Sequence, residues 1–228
     1  MRRFYYYTSI VLQKLGYIIF FPLYKFFVCI EIKGRENLKN INGPIILASN
    51  HTSELDVTAI PLVLPFFSSL FPIYFVSNSE EKYKTFGWRS YIYGGTFFNI
   101  LGGYAVYSGM KDYSVALEDH IRLLKMNRTL CIFPEGKRTR DNHMNPARGG
   151  LGYLVYTTGA TIIPIVIDTF FNMSARDFFM RHRKVIITIL KPMLPIEVMQ
   201  ISQPNIPSVE DFRNAGQMVL DRIKDVLN

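Results

Sequence analysis

Residues 44–56 read PIILASNHTSELD, and this stretch decides how the rest of the sequence is interpreted. Its first part, residues 44–49, is a short continuous apolar run, which is typical of a strand buried on both faces of a parallel sheet. Thr52 or Ser53 is a good N-cap residue, so we expect a helix to begin near them. A buried strand that leads through a loop into a helix is the unit from which α/β proteins are built.

Strand-like and helix-like segments alternate along the rest of the chain. Similar apolar runs predict buried strands at residues 73–76, 130–133, 161–167 and 185–190. An alternating run at residues 28–33 predicts an edge strand. Apolar residues at helical spacing predict helices at residues 112–126, 151–158 and 209–227. We therefore expect residues 28–228 to form one α/β domain with a mostly parallel central sheet flanked by helices.

The composition favours contact with lipid. Apolar residues make up 49% of the 228 residues and charged residues only 19%, against a usual charged share of about 25%. The formal net charge of +8 indicates an anionic surface or substrate as partner, and both nucleic acid and anionic lipid fit that charge. The aromatic and aliphatic excess favours lipid. We expect membrane phospholipid as a partner and no nucleic acid.

The cysteine and histidine spacings do not indicate a metal site. Cys29 and Cys131 lie inside apolar runs, and we interpret them as reduced core residues of a cytosolic protein. A zinc site built on His51 and Glu54 would lack a second histidine at helical spacing. We therefore expect no metal.

Residues 1–27 are predicted to form a membrane-associated helical segment. Aromatic and aliphatic side chains dominate residues 4–30, with interruptions at Gln13, Lys14, Pro22 and Lys25. The uninterrupted apolar stretch, residues 15–24, is about half of the roughly 20 residues that span a bilayer. An in-plane helix or a re-entrant helical pair at the cytoplasmic face fits these interruptions better than a spanning helix. A buried core helix and a cleaved signal peptide are the alternatives.

The loop after the strand at residues 44–49 carries His51, and Asp56 follows five residues later. On one continuous helix the two would lie about 140° apart, so they can meet only if His51 precedes the helix and Asp56 lies in its first turn. In that arrangement a neutral imidazole can take the proton of a substrate hydroxyl while Asp56 fixes its tautomer. The alternative is structural, because Ser53 and Asp56 also match a capping box.

Residues 133–140, FPEGKRTR, follow another predicted strand. Gly136 allows a tight turn, and cations follow it at Lys137, Arg138 and Arg140. Arg138 can hold a phosphate with two hydrogen bonds, and Glu135 can bind an acceptor hydroxyl or orient Arg138. A solvated charged loop is the alternative. Because ligands bind at the carboxyl ends of the strands in α/β sheets, we expect this motif and the His51 motif to share one site.

With both motifs present in this order, the chain resembles the lysophospholipid and glycerolipid acyltransferase family, which includes 1-acylglycerol-3-phosphate acyltransferases. The N-H-x-x-x-x-D block of the family is matched by Asn50, His51 and Asp56. The F-P-E-G-[TS]-R-[ST] block is matched at residues 133–139, apart from Lys137. The resemblance implies that His51 is the general base and that Asp56 orients it. It also implies a substrate-binding turn made of Glu135, Gly136, Lys137, Arg138 and Thr139.

The resemblance further implies a reaction in phospholipid biosynthesis. A fatty acyl group would pass from acyl-CoA or acyl-carrier protein to the free hydroxyl of a lysophospholipid, with 1-acylglycerol-3-phosphate (lysophosphatidic acid) as the first candidate acceptor. No tightly bound cofactor is implied. Two alternatives stay open: a CoA-independent transacylase that takes its acyl group from another phospholipid, and a non-catalytic membrane lipid-binding protein.

The sequence departs from the family in the block that precedes the FPEG motif. This block usually carries an arginine after a hydrophobic run, whereas Ser108 occupies that place here. Lys111 is a candidate replacement for the missing cation, as is Lys137. The identity of the acceptor depends on this compensation, since a different lysolipid would also fit the loss of the arginine.

Overall fold

A computed structural model describes residues 4–77, 95–107, 112–141, 143–168, 170–199 and 207–227. Within these ranges seven strands form one sheet in the order β1-β7-β6-β2-β5-β3-β4. The strands are β1 (Glu31–Lys33), β2 (Ile45–Ser49), β3 (Ile73–Ser77), β4 (Gly103–Ala105), β5 (Thr129–Ile132), β6 (Thr161–Asp168) and β7 (Ile186–Ile189). All neighbours are parallel except β6 and β7, which are antiparallel. The predicted mostly parallel sheet, with β1 at its edge, is confirmed.

Helices flank the sheet, as predicted. They are α1 (Tyr6–Phe27), α2 (Asp56–Val63), α3 (Gly95–Leu101), α4 (Tyr113–Ala116), α5 (Glu118–Lys125), α6 (Gly150–Thr158), α7 (Ala175–Phe179), α8 (Pro195–Val198) and α9 (Val209–Leu227). The single helix predicted over residues 112–126 is wrong, because it divides into α4 and α5 at Leu117. The backbone of Leu117 has a φ of −115°, outside the helical range, and its side chain is buried in the core.

Strand β2 occupies the centre of the sheet, between β5 and β6. Its side chains enter two separate apolar cores in alternation. Ile46 and Ala48 lie in a core that includes residues of α5, α6 and α9. Ile45 and Leu47 lie in the other core, which includes residues of α1 and α2. Burial on both faces explains why β2 is a continuous apolar run.

Helix α1 is one continuous helix of 22 residues, so the alternative of a re-entrant helical pair is wrong. In the described part of the chain it is also the one helix long and apolar enough to cross a membrane, judged by length and composition. Polar side chains of α1 are buried while many of its large apolar side chains are exposed, the reverse of the pattern expected for a surface helix. The buried side chains are Ser9, Gln13 and Tyr24, whereas large apolar side chains are exposed at Tyr7, Val11, Leu15, Ile18, Ile19, Leu23 and Phe26.

Polar side chains fasten α1 to the domain along most of its length. Gln13 donates to the carbonyls of Ile73 and Leu101, at 2.7 and 2.9 Å, and accepts from the amide of Ile73 at 2.9 Å. The Ser9 hydroxyl donates to the carbonyl of Ile100 at 2.8 Å. Near the other end, Tyr24 is fully buried beneath the helix. The alternative of a helix buried in the core is wrong, because the outer face of α1 is exposed.

Replacing Gln13 with leucine should lower the free energy of unfolding by about 1–3 kcal/mol, because buried backbone groups at Ile73 and Leu101 lose their partners. Urea unfolding of the detergent-solubilised protein measures the change. Thr8→Leu is the matched control on the exposed side of the same helix and should shift stability by less than about 0.5 kcal/mol. Equal stability of the two variants would show that Gln13 does not fasten α1.

Candidate active site

The two sequence motifs meet at one edge of the sheet. Strands β2 and β5 pair in parallel, with Ala48 opposite Ile132, so the loops that follow them emerge side by side. The backbone amide of His51 donates to Oε1 of Glu135 at 2.9 Å. The amide of Thr139 donates to the carbonyl of His51, also at 2.9 Å. Residue 51 is therefore held to both ends of the turn formed by residues 135–139.

The ring of His51 is fixed on one side and open on the other. Its Nδ1 lies 2.9 Å from Oδ2 of Asp56. Its face stacks on the ring of Phe133, with centroids 4.1 Å apart and the planes 17° from parallel. Within the part of the chain that the structure describes, Nε2 makes no hydrogen bond, and the side chain keeps 20% of its surface exposed. A carboxylate on Nδ1 favours the tautomer in which Nε2 is the free base.

Asp56 binds both the imidazole and backbone groups of its own loop. It is fully buried, and its Oδ2 also accepts from the backbone amides of Thr52 and Ser53, at 2.7 and 2.8 Å. These bonds close the loop before α2, so the helix begins at Asp56 and not near Thr52 or Ser53 as predicted. Helix α2 has no side-chain cap at Leu55, its N-cap residue, so the capping box is not formed. The same carboxylate nevertheless binds backbone amides of the loop and the imidazole. The other oxygen, Oδ1, is buried without a hydrogen-bond partner among the described residues.

Cys131 lies in β5 below the loops and is fully buried. Burial raises the pKa of its thiol far above the usual range, and the negative charge of Asp56 raises it further. The thiol therefore stays protonated and does not act as a nucleophile. Among the described residues no group of three His, Cys, Asp or Glu side chains is placed to hold a metal ion.

Glu135 is a structural link between loops. It is 1% exposed. Besides the His51 amide on Oε1, it accepts on Oε2 from the backbone and side-chain nitrogens of Asn145, at 2.7 and 3.1 Å. One oxygen is thus occupied by the loop after β2, and the other by a later part of the loop that carries Glu135 itself. Contact with a substrate hydroxyl, which the sequence suggested for this residue, stays a prediction.

The remaining residues of the turn divide into inward and outward side chains. Thr139 is buried, and its hydroxyl donates to the carbonyl of His143 and to Asp141. Lys137 and Arg138 are exposed, and Arg138 makes an ion pair with Glu54 at 3.2 Å. Ser108, which occupies the place of the usual arginine, and Lys111, one of its two predicted replacements, lie outside the described residues.

The sequence interpretation assigned no role to two residues of the site, Asn50, which only completes the first motif, and Arg148, which belongs to neither motif. The buried side chain of Asn50 donates to the carbonyl of Ile167 and accepts from its amide, both at 2.8 Å, which ties the His51 loop to β6. Arg148 lies against Gly136: a Cβ atom on that glycine would come within 2.6 Å of Cδ of Arg148. Gly136 also has a φ of +66°, which favours glycine. No local sequence signal pairs either residue with its contact.

A model of the family described as Acyltransferase matches residues 29–168. The chloroplastic 1-acyl-sn-glycerol-3-phosphate acyltransferase BAT2 of Brassica napus is 26% identical over 152 residues, which cover 66% of this chain and 39% of that protein. The 1-acyl-sn-glycerol-3-phosphate acyltransferase of Saccharomyces cerevisiae is 26% identical over 182 residues, 76% of this chain and 55% of that protein. The chain thus spans only about two fifths to just over half the length of these curated relatives.

The structural comparison supports the same fold. The crystal structure of the 1-acyl-sn-glycerophosphate (LPA) acyltransferase PlsC from Thermotoga maritima matches with a TM-score of 0.63 at 20% sequence identity. The match covers 95% of this chain and 79% of that one. At this identity the similarity establishes the shared architecture.

Replacing Glu135 with glutamine should lower the free energy of unfolding by about 1–3 kcal/mol, because an amide nitrogen would face a backbone donor in a buried position. Thermal and urea unfolding measure this loss. Glu54→Gln removes a carboxylate from the same site at an exposed position and should cost less than about 1 kcal/mol. If Glu135→Gln were no less stable than Glu54→Gln, Glu135 would not be the link between the loops.

Proposed function

The chain belongs to the Acyltransferase family, and from that premise we propose that it transfers a fatty acyl group from acyl-CoA or acyl-carrier protein to the free hydroxyl of a lysophospholipid. The observation that carries the proposal is the pair formed by His51 and Asp56, with Nδ1 held at 2.9 Å and Nε2 free of any partner among the described residues. Lysophosphatidic acid is the proposed acceptor. The activities for which the relatives are named, and the exposed cations on the turn bonded to residue 51, support that choice.

In the proposed reaction, Nε2 of His51 removes the proton of the acceptor hydroxyl as its oxygen attacks the thioester carbonyl carbon. A carbon–oxygen bond forms, and the negative charge moves to the carbonyl oxygen. When the tetrahedral intermediate collapses, the carbon–sulfur bond breaks and the leaving thiolate takes the proton back from the imidazolium. Asp56 stays ionised throughout and stabilises the positive ring.

The proposed acceptor site is the rim formed by Lys137 and Arg138. Both side chains are exposed on the turn that is hydrogen-bonded to residue 51, which makes them the candidates to bind a phosphate near the imidazole. A guanidinium offers two parallel donors to a phosphate, which a lysine cannot do. Glu54 already pairs with Arg138, and it orients that side chain before substrate binds.

We also propose that the protein lies in the cytoplasmic face of a membrane through the exposed face of α1. Buried polar contacts from Ser9 to Tyr24 hold this helix along the domain, so it cannot leave the domain to span a bilayer alone. Its outward apolar face suits insertion in the plane of the interface. The end of α1 adds exposed Phe26, which packs beneath the guanidinium of Arg181. This arrangement places a cation where anionic headgroups would lie.

His51→Ala should reduce acyl transfer from labelled palmitoyl-CoA or palmitoyl-carrier protein to lysophosphatidic acid by about 100- to 10,000-fold, since the base is lost. Asp56→Asn should also reduce the rate, through the wrong tautomer of His51. The matched control is His182→Ala, an exposed histidine, which should keep full activity on detergent-dispersed substrate.

The same assay separates the rival functions. Wild-type turnover only with a phospholipid as acyl donor, and none with either thioester, would indicate a transacylase. Wild-type protein that binds vesicles but is inactive with every donor and acceptor would indicate a lipid-binding protein. Activity restricted to a neutral lysolipid would keep the chemistry and replace the acceptor.

A double variant, Ile18→Ser with Ile19→Ser, should weaken binding to vesicles containing anionic phospholipid by about tenfold or more, because two exposed apolar side chains leave the interface. Each of these isoleucines is 57% exposed. Sedimentation with vesicles measures the binding. A control double variant, Val209→Ser with Val226→Ser, removes two exposed aliphatic side chains from α9 and should bind as wild type does. Equal binding by both doubles would exclude α1 as the membrane contact.

A further inference from the structure

Arg148 is a cation that the sequence motifs do not include. It follows the FPEG turn by ten residues or more, yet its backbone amide donates to the carbonyl of Pro134 at 2.9 Å. Its side chain is exposed and crosses directly over Gly136. A Cβ on that glycine would lie 2.6 Å from Cδ, 2.9 Å from Nε and 3.5 Å from Cζ of Arg148. The missing side chain of Gly136 therefore makes room for the arginine.

Arg148 lies against the turn that is hydrogen-bonded to the backbone of His51. Glu135, on one side of Gly136, accepts from the amide of His51 at 2.9 Å. Thr139, on the other side, donates to the carbonyl of His51 at 2.9 Å. Because the turn is joined to residue 51 at both ends, a side chain that lies against Gly136 is tied through the turn to the loop that carries the base.

The charge of Arg148 is uncompensated among the described residues. The guanidinium makes no ion pair there, whereas Arg138 is paired with Glu54 at 3.2 Å. Glu135, which precedes Gly136 in the chain, is buried, with both oxygens occupied by hydrogen-bond donors. A partly exposed arginine beside a tight turn and without an internal partner is suited to bind an anion from outside.

We propose that Arg148 binds the phosphate group of the acceptor lysophospholipid and thereby selects acceptors that carry a phosphate over neutral ones. This rests on the proposed acyl transfer to a lysophospholipid. The guanidinium supplies the cation that the sequence lacks where Ser108 replaces the usual arginine. It also gives Gly136 a second reason to be glycine, since any larger residue would displace Arg148 from the turn.

The acceptor is favoured over the donor as the source of the phosphate. The hydroxyl that His51 deprotonates must lie beside Nε2, and the phosphate of a lysophospholipid is only a few bonds from that hydroxyl. In acyl-CoA the phosphates are at the far end of the pantetheine arm from the thioester. A cation held against the turn bonded to residue 51 therefore reaches the acceptor phosphate first.

Two readouts on the full-length protein test the proposal. Binding of lysophosphatidic acid and of monoacylglycerol is measured in detergent micelles with a His51→Ala background, so that no turnover interferes. Acceptor and donor KM values are measured with His51 intact. The variants are Arg148→Gln, Arg148→Lys and Gly136→Ala. The matched controls are Arg122→Gln, an exposed arginine on α5, and Gly159→Ala, whose φ of +64° is nearly that of Gly136 but whose Cβ would meet no atom within 4 Å.

Arg148→Gln should weaken binding of lysophosphatidic acid by about 10- to 100-fold, because a hydrogen bond to a charged group is lost. Binding of monoacylglycerol and the KM for palmitoyl-CoA should not change. Arg148→Lys should give intermediate binding, and Gly136→Ala should resemble Arg148→Gln. Gly159→Ala should lose stability through the same backbone strain, with normal binding. Circular dichroism checks that each variant is folded.

The outcomes separate this inference from the proposed function. If Arg148→Gln binds lysophosphatidic acid as Arg122→Gln does, Arg148 is not a phosphate ligand, whatever the turnover. Equal loss for monoacylglycerol, or a rise in the donor KM alone, would also overturn the inference. If wild-type protein turns over no thioester while its binding of lysophosphatidic acid depends on Arg148, the inference stands and the proposed reaction fails.

Discussion

Both oxygens of the buried Glu135 carboxylate are used to hold loops together, and the rest of the site depends on that constraint. A buried carboxylate is costly unless hydrogen-bond donors surround it. Here the donors come from His51 in one loop and Asn145 in another, which are far apart in the sequence. Satisfying one charge therefore fixes the loop after β2 against the loop after β5. The position of the imidazole follows from that packing.

The site separates its charges by depth. The carboxylates of Glu135 and Asp56 lie inside, where backbone amides satisfy them. The cations Lys137 and Arg138 lie outside on the turn, and the exposed Arg148 lies against it. An incoming anion thus meets positive charge first, while both oxygens of Glu135 and Oδ2 of Asp56 already accept hydrogen bonds. This arrangement suits a reaction in which a phosphate is held at the rim while a proton is transferred at the ring of His51.

Helix α1 also separates polar from apolar side chains, but in the opposite sense to a surface helix of a soluble protein. In a soluble domain the apolar face of a surface helix turns inward. Here Gln13 turns inward instead, because the backbone groups of Ile73 and Leu101 need partners. Tyr24 also turns inward, but seven large apolar side chains of the helix, from Tyr7 to Phe26, are left exposed. The membrane contact proposed for α1 would place both faces in media that suit them.

Three features could be predicted from the sequence alone: the α/β class, the family, and the contact between the His51 motif and the FPEG motif. Continuous apolar runs identify doubly buried strands, and the spacing of His51 and Asp56 permits only a loop-then-helix geometry. Such patterns are local, so they can be recognised along the chain. Other features become visible only in the folded protein. Helix α1 is a single helix with buried polar and exposed apolar side chains, and Leu117 divides α4 from α5. The hydrogen-bond partners of Glu135 and Thr139, and the contact of Arg148 with Gly136, are also seen only in the folded protein. These outcomes depend on which distant groups come into contact when the sheet assembles, and periodicity carries no information about that.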